Sequence, residues 1–245
     1  MSGRGGDLIK SIYPGLDRLG RVIYVGAEAA LILGEFLGIR AIYKIRLPKP
    51  YRDPNLDLLV RSSRTKTEAK IMLFVRSLGV NVPTILLVDL DLALIVMEYI
   101  EGLLLRDLLS NLSPNLTCKL IRNVGSQVAK MHKAGVVHGD LTTSNMIYSN
   151  GRIYIVDFGL AKMSKSLEDR GVDVHLFLRS LESVHFNLKD LLFNCFIEGY
   201  ENVLGSKAKE EILAKIHEIR LRGRYVEERR LKKRNYHSLV GSCED

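Results

Sequence analysis

From Val22 to Leu47 apolar and polar residues alternate with a period near two, and glycine interrupts the alternation. The runs Arg21 to Val25, Ala29 to Leu33 and Ile39 to Arg46 each fit a half-buried strand, which predicts a small antiparallel sheet. The proline-rich stretch Pro48 to Pro54 ends it. Leu56 to Leu78 then carries helical spacing and stops at Gly79, where a left-handed C-cap favours glycine. Strands return at Thr84 to Val88 and Leu92 to Tyr99, and the second leads into Ile100-Glu101-Gly102, with Gly102 read as a hinge. Beyond it the spacing becomes helical, at Leu103 to Leu109 and from Pro114 to Ala134, the latter closed by Gly135. Two short strands, Gly135 to His138 and Arg152 to Val156, flank a polar segment, Asp140 to Asn145. Helices follow at Val172 to Ser183, Leu188 to Gly199 and Lys207 to Ile219, with no internal repeat and no low-complexity tract.

This is an α+β pattern. It divides into a sheet-rich N-terminal lobe of five strands and one main helix over residues 1–100, a helical lobe over 101–223, and a tail over 224–245. A chain of 245 residues that is 47% hydrophobic buries a core large enough for one two-lobed domain or two small ones. No segment reaches the roughly 18 unbroken apolar residues of a membrane helix, and Met1 to Lys10 lacks the apolar middle of a secretory signal. The expectation is a cytoplasmic protein with no membrane contact. Cys118, Cys195 and Cys243 are odd in number, far apart and without a Cys-x-x-Cys pair, so they are expected to be reduced thiols with no metal.

Of the net charge of +8, most sits in the tail, where Arg220 to Arg234 holds eight Lys or Arg against two Glu. Such a run serves either as a solvated end or as a set of phosphate contacts. Arg222, Arg224, Arg229 and Arg230 are the candidate nucleic-acid contacts, with Tyr225 available to stack on a base.

Chemistry concentrates in His138-Gly139-Asp140, Asn145 and Asp157-Phe158-Gly159, which together spell H-x-D-x-x-x-x-N followed by D-F-G. Phosphoryl transfer asks for metal-holding oxygens, an oriented nucleophile and a cation on the phosphates. Asp157 ends a hydrophobic strand and offers a hard oxygen to Mg²⁺. Asn145, twelve residues earlier, offers an amide oxygen to the same ion or a second one. Asp140 is placed to accept the proton of an attacking hydroxyl or to orient a water. Lys44, in the third strand, is the candidate cation for the α- and β-phosphates of ATP, and Glu68 on the following helix is spaced to pair with it. The phosphate loop departs from G-x-G-x-x-G: Gly26-Ala27-Glu28-Ala29 has a single glycine, which predicts a less permissive turn.

These residues resemble the small atypical kinase family of the KEOPS (EKC) tRNA-modification complex, also called the p53-related protein kinase family, a relative of the RIO kinases. The resemblance runs from Ile23 to Arg224. It rests on Gly26-Ala-Glu-Ala, Lys44, Tyr51-Arg52-x-Pro54, Arg64-x-x-x-Glu68-Ala69, Met97-Glu98-Tyr99-Ile100-Glu101-Gly102, the Asp140 segment with Thr142 and Thr143, Glu168-Asp169-x-x-Val172-Asp173 and Arg222-Gly-Arg. Gly171, where the family usually has alanine, is a small departure. The resemblance implies a bilobal protein-kinase-like fold that binds ATP and Mg²⁺, with Glu98 and Ile100 also at the nucleotide. It further implies autophosphorylation, and ATPase-like service to a threonylcarbamoyl-transferase subunit and other KEOPS subunits, with the helical lobe against that partner and the basic tail on tRNA.

Only 86 residues follow Gly159, without an Ala-Pro-Glu, so a peptide-docking activation segment is not expected. Gly139 stands where phosphorylation-switched kinases carry an arginine, so loop phosphorylation has no charge partner here and control by a binding partner is the simpler reading. Three rivals share parts of the pattern. A small-molecule kinase of the aminoglycoside-phosphotransferase type needs acceptor-pocket inserts that are absent. A non-catalytic scaffold needs none of Lys44, Asp140, Asn145 or Asp157. A freestanding Ser/Thr protein kinase needs the docking segment.

Overall fold

A computed structural model describes residues 16–222. Five antiparallel strands, β1 (Gly20–Val25), β2 (Ala29–Phe36), β3 (Ile39–Arg46), β4 (Ile85–Asp89) and β5 (Leu94–Glu98), form one sheet in the order β1-β2-β3-β5-β4. Side chains alternate across a sheet. Ala41, Tyr43 and Ile45 therefore join Ala30, Ile32, Leu94 and Val96 in one small core, while Ile42, Lys44 and Arg46 face the other way. That second face is covered by helix α1 (Pro54–Ser77). Asp53 caps α1 by accepting from the amides of Asn55 and Leu56 at 3.0 Å, and Pro54 supplies a first-turn φ. The helix ends at Gly79, whose φ of 75° is left-handed.

Ala69, Ile71, Met72 and Val75 of α1 belong to the large core that continues into the second lobe. There the elements are β6 (Leu103–Leu104), a single turn α2 (Leu105–Leu108), α3 (Pro114–Lys133), β7 (Val136–Val137), β8 (Met146–Ser149), β9 (Arg152–Ile155), β10 (Lys162–Met163), α4 (Leu167–Val184) and α5 (Lys189–Leu204), with a sixth helix over 206–222. Helices α3 and α5 meet at two glycines. A Cβ on Gly199 would lie 1.9 Å from the Arg122 carbonyl oxygen, and one on Gly125 would lie 2.0 Å from that of Phe196.

The structure corrects the sequence expectation at several points. Cys118 and Cys195 form a disulfide between α3 and α5, with Cα atoms 5.3 Å apart, and are not reduced thiols. Wide separation in sequence hides the pair, because the same crossing that brings the glycines together brings these two turns together. A Cβ on Gly102 would meet the Tyr148 carbonyl oxygen at 2.2 Å, so glycine is needed there for the close approach of β8. Leu103 and Leu104 pair with β8 as strand, and β8 itself, four residues between the polar loop and a turn, goes unread from the pattern. Helix α4 starts five residues before Val172, because the Ser166 hydroxyl accepts from the Asp169 amide as an N-cap. Seven residues, 160–166, separate Gly159 from α4, which leaves no room for a docking segment. Among the described residues no helix is long and apolar enough to cross a membrane.

Candidate active site

The cleft between the lobes collects Lys44, Glu68, Asp140, Asn145 and Asp157. Lys44 Nζ lies 2.5 Å from Glu68 Oε1 and 2.7 Å from Asp157 Oδ1. Burial favours the neutral amine, but the charges of Glu68 and Asp157 outweigh it and hold the Lys44 pKa above its ordinary value, so the ammonium persists. Glu68 is itself buried and gives its second oxygen to Arg46 Nη2 at 2.6 Å. Sequence reasoning passes over Arg46, although a period of two places it on the same face of β3 as Lys44.

Asp157 follows β9 in a left-handed conformation, φ 62°, which is costly for any residue but glycine or a short polar one. The turn aims its carboxylate at Lys44, and the Gly159 amide donates to the same oxygen at 3.3 Å. Burial raises the Asp157 pKa, yet the Lys44 charge and hydrogen bond more than offset this and the net shift is downward. Asn145 donates from Nδ2 to the Asp140 main-chain oxygen at 2.9 Å and to Asp140 Oδ2 at 2.8 Å. Its amide oxygen is thereby turned away from Asp140.

A buried hydrogen-bond system holds this loop. The Asp173 carboxylate on α4 accepts from the amides of His138 at 2.7 Å and Gly139 at 2.8 Å, and from His132 Nε2 at 3.2 Å. The other nitrogen of His132 meets the Tyr200 hydroxyl at 3.0 Å. Burial pushes the Tyr200 phenol up to about 12, so it keeps its proton. His138, fully buried against the Phe158 ring, donates from Nε2 to the Val156 carbonyl at 3.1 Å and accepts from the Asp140 amide at Nδ1. One imidazole thus ties the loop carrying Asp140 to the strand end carrying Asp157. His132 is a contact that sequence reasoning missed, since nothing local marks it.

At the front of the cleft the Gly26 amide donates to the Ala29 carbonyl at 2.9 Å and the Leu47 amide to the Glu28 carbonyl at 2.9 Å. Neither Gly26 nor Ala27 has a positive φ, so this turn forms without the glycines of G-x-G-x-x-G. In the connection between lobes, the Glu98 side chain accepts from Thr84 Oγ1 at 2.7 Å, the Tyr99 amide donates to the Arg40 carbonyl at 3.0 Å, and Ile100 is buried. Arg222 is ion-paired with Glu168 and Glu218. Arg224, Arg229 and Arg230 lie outside the described residues.

The donor set suits Mg²⁺ held with a nucleotide. Asp157 and Asn145 present hard oxygens, and among the described residues there is no cluster of three or more His, Cys, Asp or Glu to form an all-protein cage. An ion there would be completed by phosphate oxygens and water, as Mg²⁺ prefers.

The sheet, the Lys44–Glu68 pair and the two loops define a protein kinase domain, and the protein kinase domain family matches residues 60–177. Over 213 residues the chain is 45% identical to the KEOPS complex subunit Bud32 of Pyrococcus abyssi, covering 84% of this chain and 97% of that protein. It is 42% identical over 205 residues to the probable serine/threonine-protein kinase BUD32 homolog of Archaeoglobus fulgidus, covering 96% of it. The chain belongs to the Bud32 family of atypical kinases. A probable bifunctional tRNA threonylcarbamoyladenosine biosynthesis protein of Methanobrevibacter smithii is 40% identical over 205 residues, but these make up only 37% of its length.

Proposed function

We propose that this chain is an ATP-dependent atypical Ser/Thr kinase and ATPase that serves threonylcarbamoyladenosine formation in tRNA as a KEOPS subunit in the cytoplasm. The observation that carries the reading is the joint placement of Lys44, Glu68, Asp157, Asn145 and Asp140 in one cleft, with no docking segment between Gly159 and α4. Lys44, fixed by Glu68, holds the α- and β-phosphates. The phosphate loop, Gly26 to Ala29, covers them with main-chain amides, while Glu98 and Ile100 hold the base. Asp157 and Asn145 hold Mg²⁺, which when bound screens the charge of the transferring phosphate. Asp140, kept in line by Asn145, accepts the proton of a hydroxyl or orients a water.

With the docking segment gone, acceptors are this chain's own hydroxyls or water, and a threonylcarbamoyl-transferase partner on the helical lobe uses the turnover. The basic residues Arg222, Arg224, Arg229 and Arg230 support tRNA contact at the tail. The test measures phosphate release and phosphoprotein for wild type and Asp157→Ala, with and without tRNA and the partner. Mg²⁺-dependent release that rises with tRNA and partner, and is lost in Asp157→Ala, is expected. Unchanged turnover in that variant would sink the enzyme reading, and phosphoprotein without release would sink the ATPase role.

A further inference from the structure

Glu28 is the residue of the phosphate loop with a charged side chain. Its carboxylate takes Arg64 Nη1 of α1 at 2.9 and 3.0 Å and has Arg46 Nη1 at 3.7 Å. The Glu28 pKa is lowered accordingly, first by the hydrogen bond from Arg64. The Lys49 ammonium donates to the Ala27 carbonyl, so the loop is tied on a second side. Arg64 precedes Glu68 by one helical turn and points from the same face of α1. Arg46 touches both carboxylates, at 2.6 Å to Glu68 and 3.7 Å to Glu28. The loop over the phosphates and the pair that holds Lys44 therefore hang from the same helix turn.

We propose that Glu28 and Arg64 form a latch that closes the one-glycine phosphate loop onto α1, making Arg64 a positioning residue for ATP. A loop with a single glycine has less backbone freedom to fold around phosphates than one with three. The ion pair supplies an outside tether that is already made when Glu68 holds Lys44. Side-chain exposures of 44% for Arg64 and 49% for Glu28 leave the pair screened by water, which makes it reversible enough to open for nucleotide exchange.

The inference rests on the ATP reading above, and a double-mutant cycle separates the two. KM and kcat for ATP are measured for wild type, Glu28→Gln, Arg64→Gln and the double variant, with thermal unfolding as a check that all four fold. Each single change is expected to raise KM by about three- to fivefold, the reach of a half-exposed ion pair, with a smaller fall in kcat. The double variant is expected to match the worse single one, because the second change removes a partner already lost. Single variants with wild-type KM, or losses that multiply in the double variant, overturn the latch while leaving the ATP reading intact. Absence of Mg²⁺-dependent turnover in wild type overturns the ATP reading itself.

Discussion

Lys44 and Glu68, 24 residues apart in the chain, meet at 2.5 Å with side chains only 9% and 2% exposed. Buried partners of this kind are expensive to separate, because the charge left behind keeps its desolvation penalty without its counter-charge. Glu68 also neutralises Arg46, so its removal leaves Lys44 with Asp157 alone and Arg46 with only the more distant Glu28. We expect Glu68→Gln to lower unfolding free energy by about 3 kcal/mol, seen as a lower urea midpoint, and ATP turnover by at least about tenfold. A variant with wild-type midpoint and turnover would show that Lys44 needs no carboxylate on α1.

Asp173 sets an acid limb on stability. Burial alone would raise its pKa, but the hydrogen bond and charge of His132, with the His138 amide, bring it below the ordinary 3.8. The contribution is therefore complete above the unfolded value of about 3.8 and is lost as pH falls through the lower folded value. Urea midpoints of wild type should fall steeply below about pH 4, whereas Asp173→Asn should start lower and change less over the same range. Parallel curves for the two proteins would remove Asp173 as the source.

The disulfide joins positions 77 residues apart. Restriction of the unfolded chain across that loop is worth about 4 kcal/mol in the chain-entropy view. Reduction, or Cys118→Ser with Cys195→Ser, should lower the melting temperature markedly. Thiol titration of the unreduced, denatured chain should find one of the three cysteines free. Three free thiols before reduction would contradict the crosslink.

Alanine at Gly199 tests the helix crossing by sign. Intrinsic propensity favours alanine over glycine inside a helix by about 1 kcal/mol. The Arg122 carbonyl oxygen, 1.9 Å from the new Cβ, opposes it and forces α3 and α5 apart. We expect Gly199→Ala to be destabilising by about 1–3 kcal/mol in thermal unfolding. A stabilised variant would mean that the helices part without loss.

Contacts within one loop were the most legible. Asp140 and Asn145 are five residues apart and bond directly, and Asp157 stands at the end of a strand whose apolar run is plain in the chain. The helix of Glu68 shows in its spacing, and Lys44 in its alternating strand. Much less legible were partners joined through folding alone. Asp173 reaches the Gly139 amide across 34 residues and Arg64 reaches Glu28 across 36. Gly102 reads as a hinge from its place between the lobes, and its fit under the Tyr148 carbonyl shows only in the fold.

By itself the amino-acid order determined the α+β alternation, the loop spacings and the residue types for phosphate chemistry, because local propensity and periodicity act over a few residues. Tertiary structure alone decided that Arg46 shares Glu68 with Lys44, that Glu28 crosses to Arg64, and that Cys118 meets Cys195. Those outcomes depend on how β3 lies on α1 and how α3 crosses α5. Such geometry comes from the packing of whole faces, to which no short stretch of sequence holds the key.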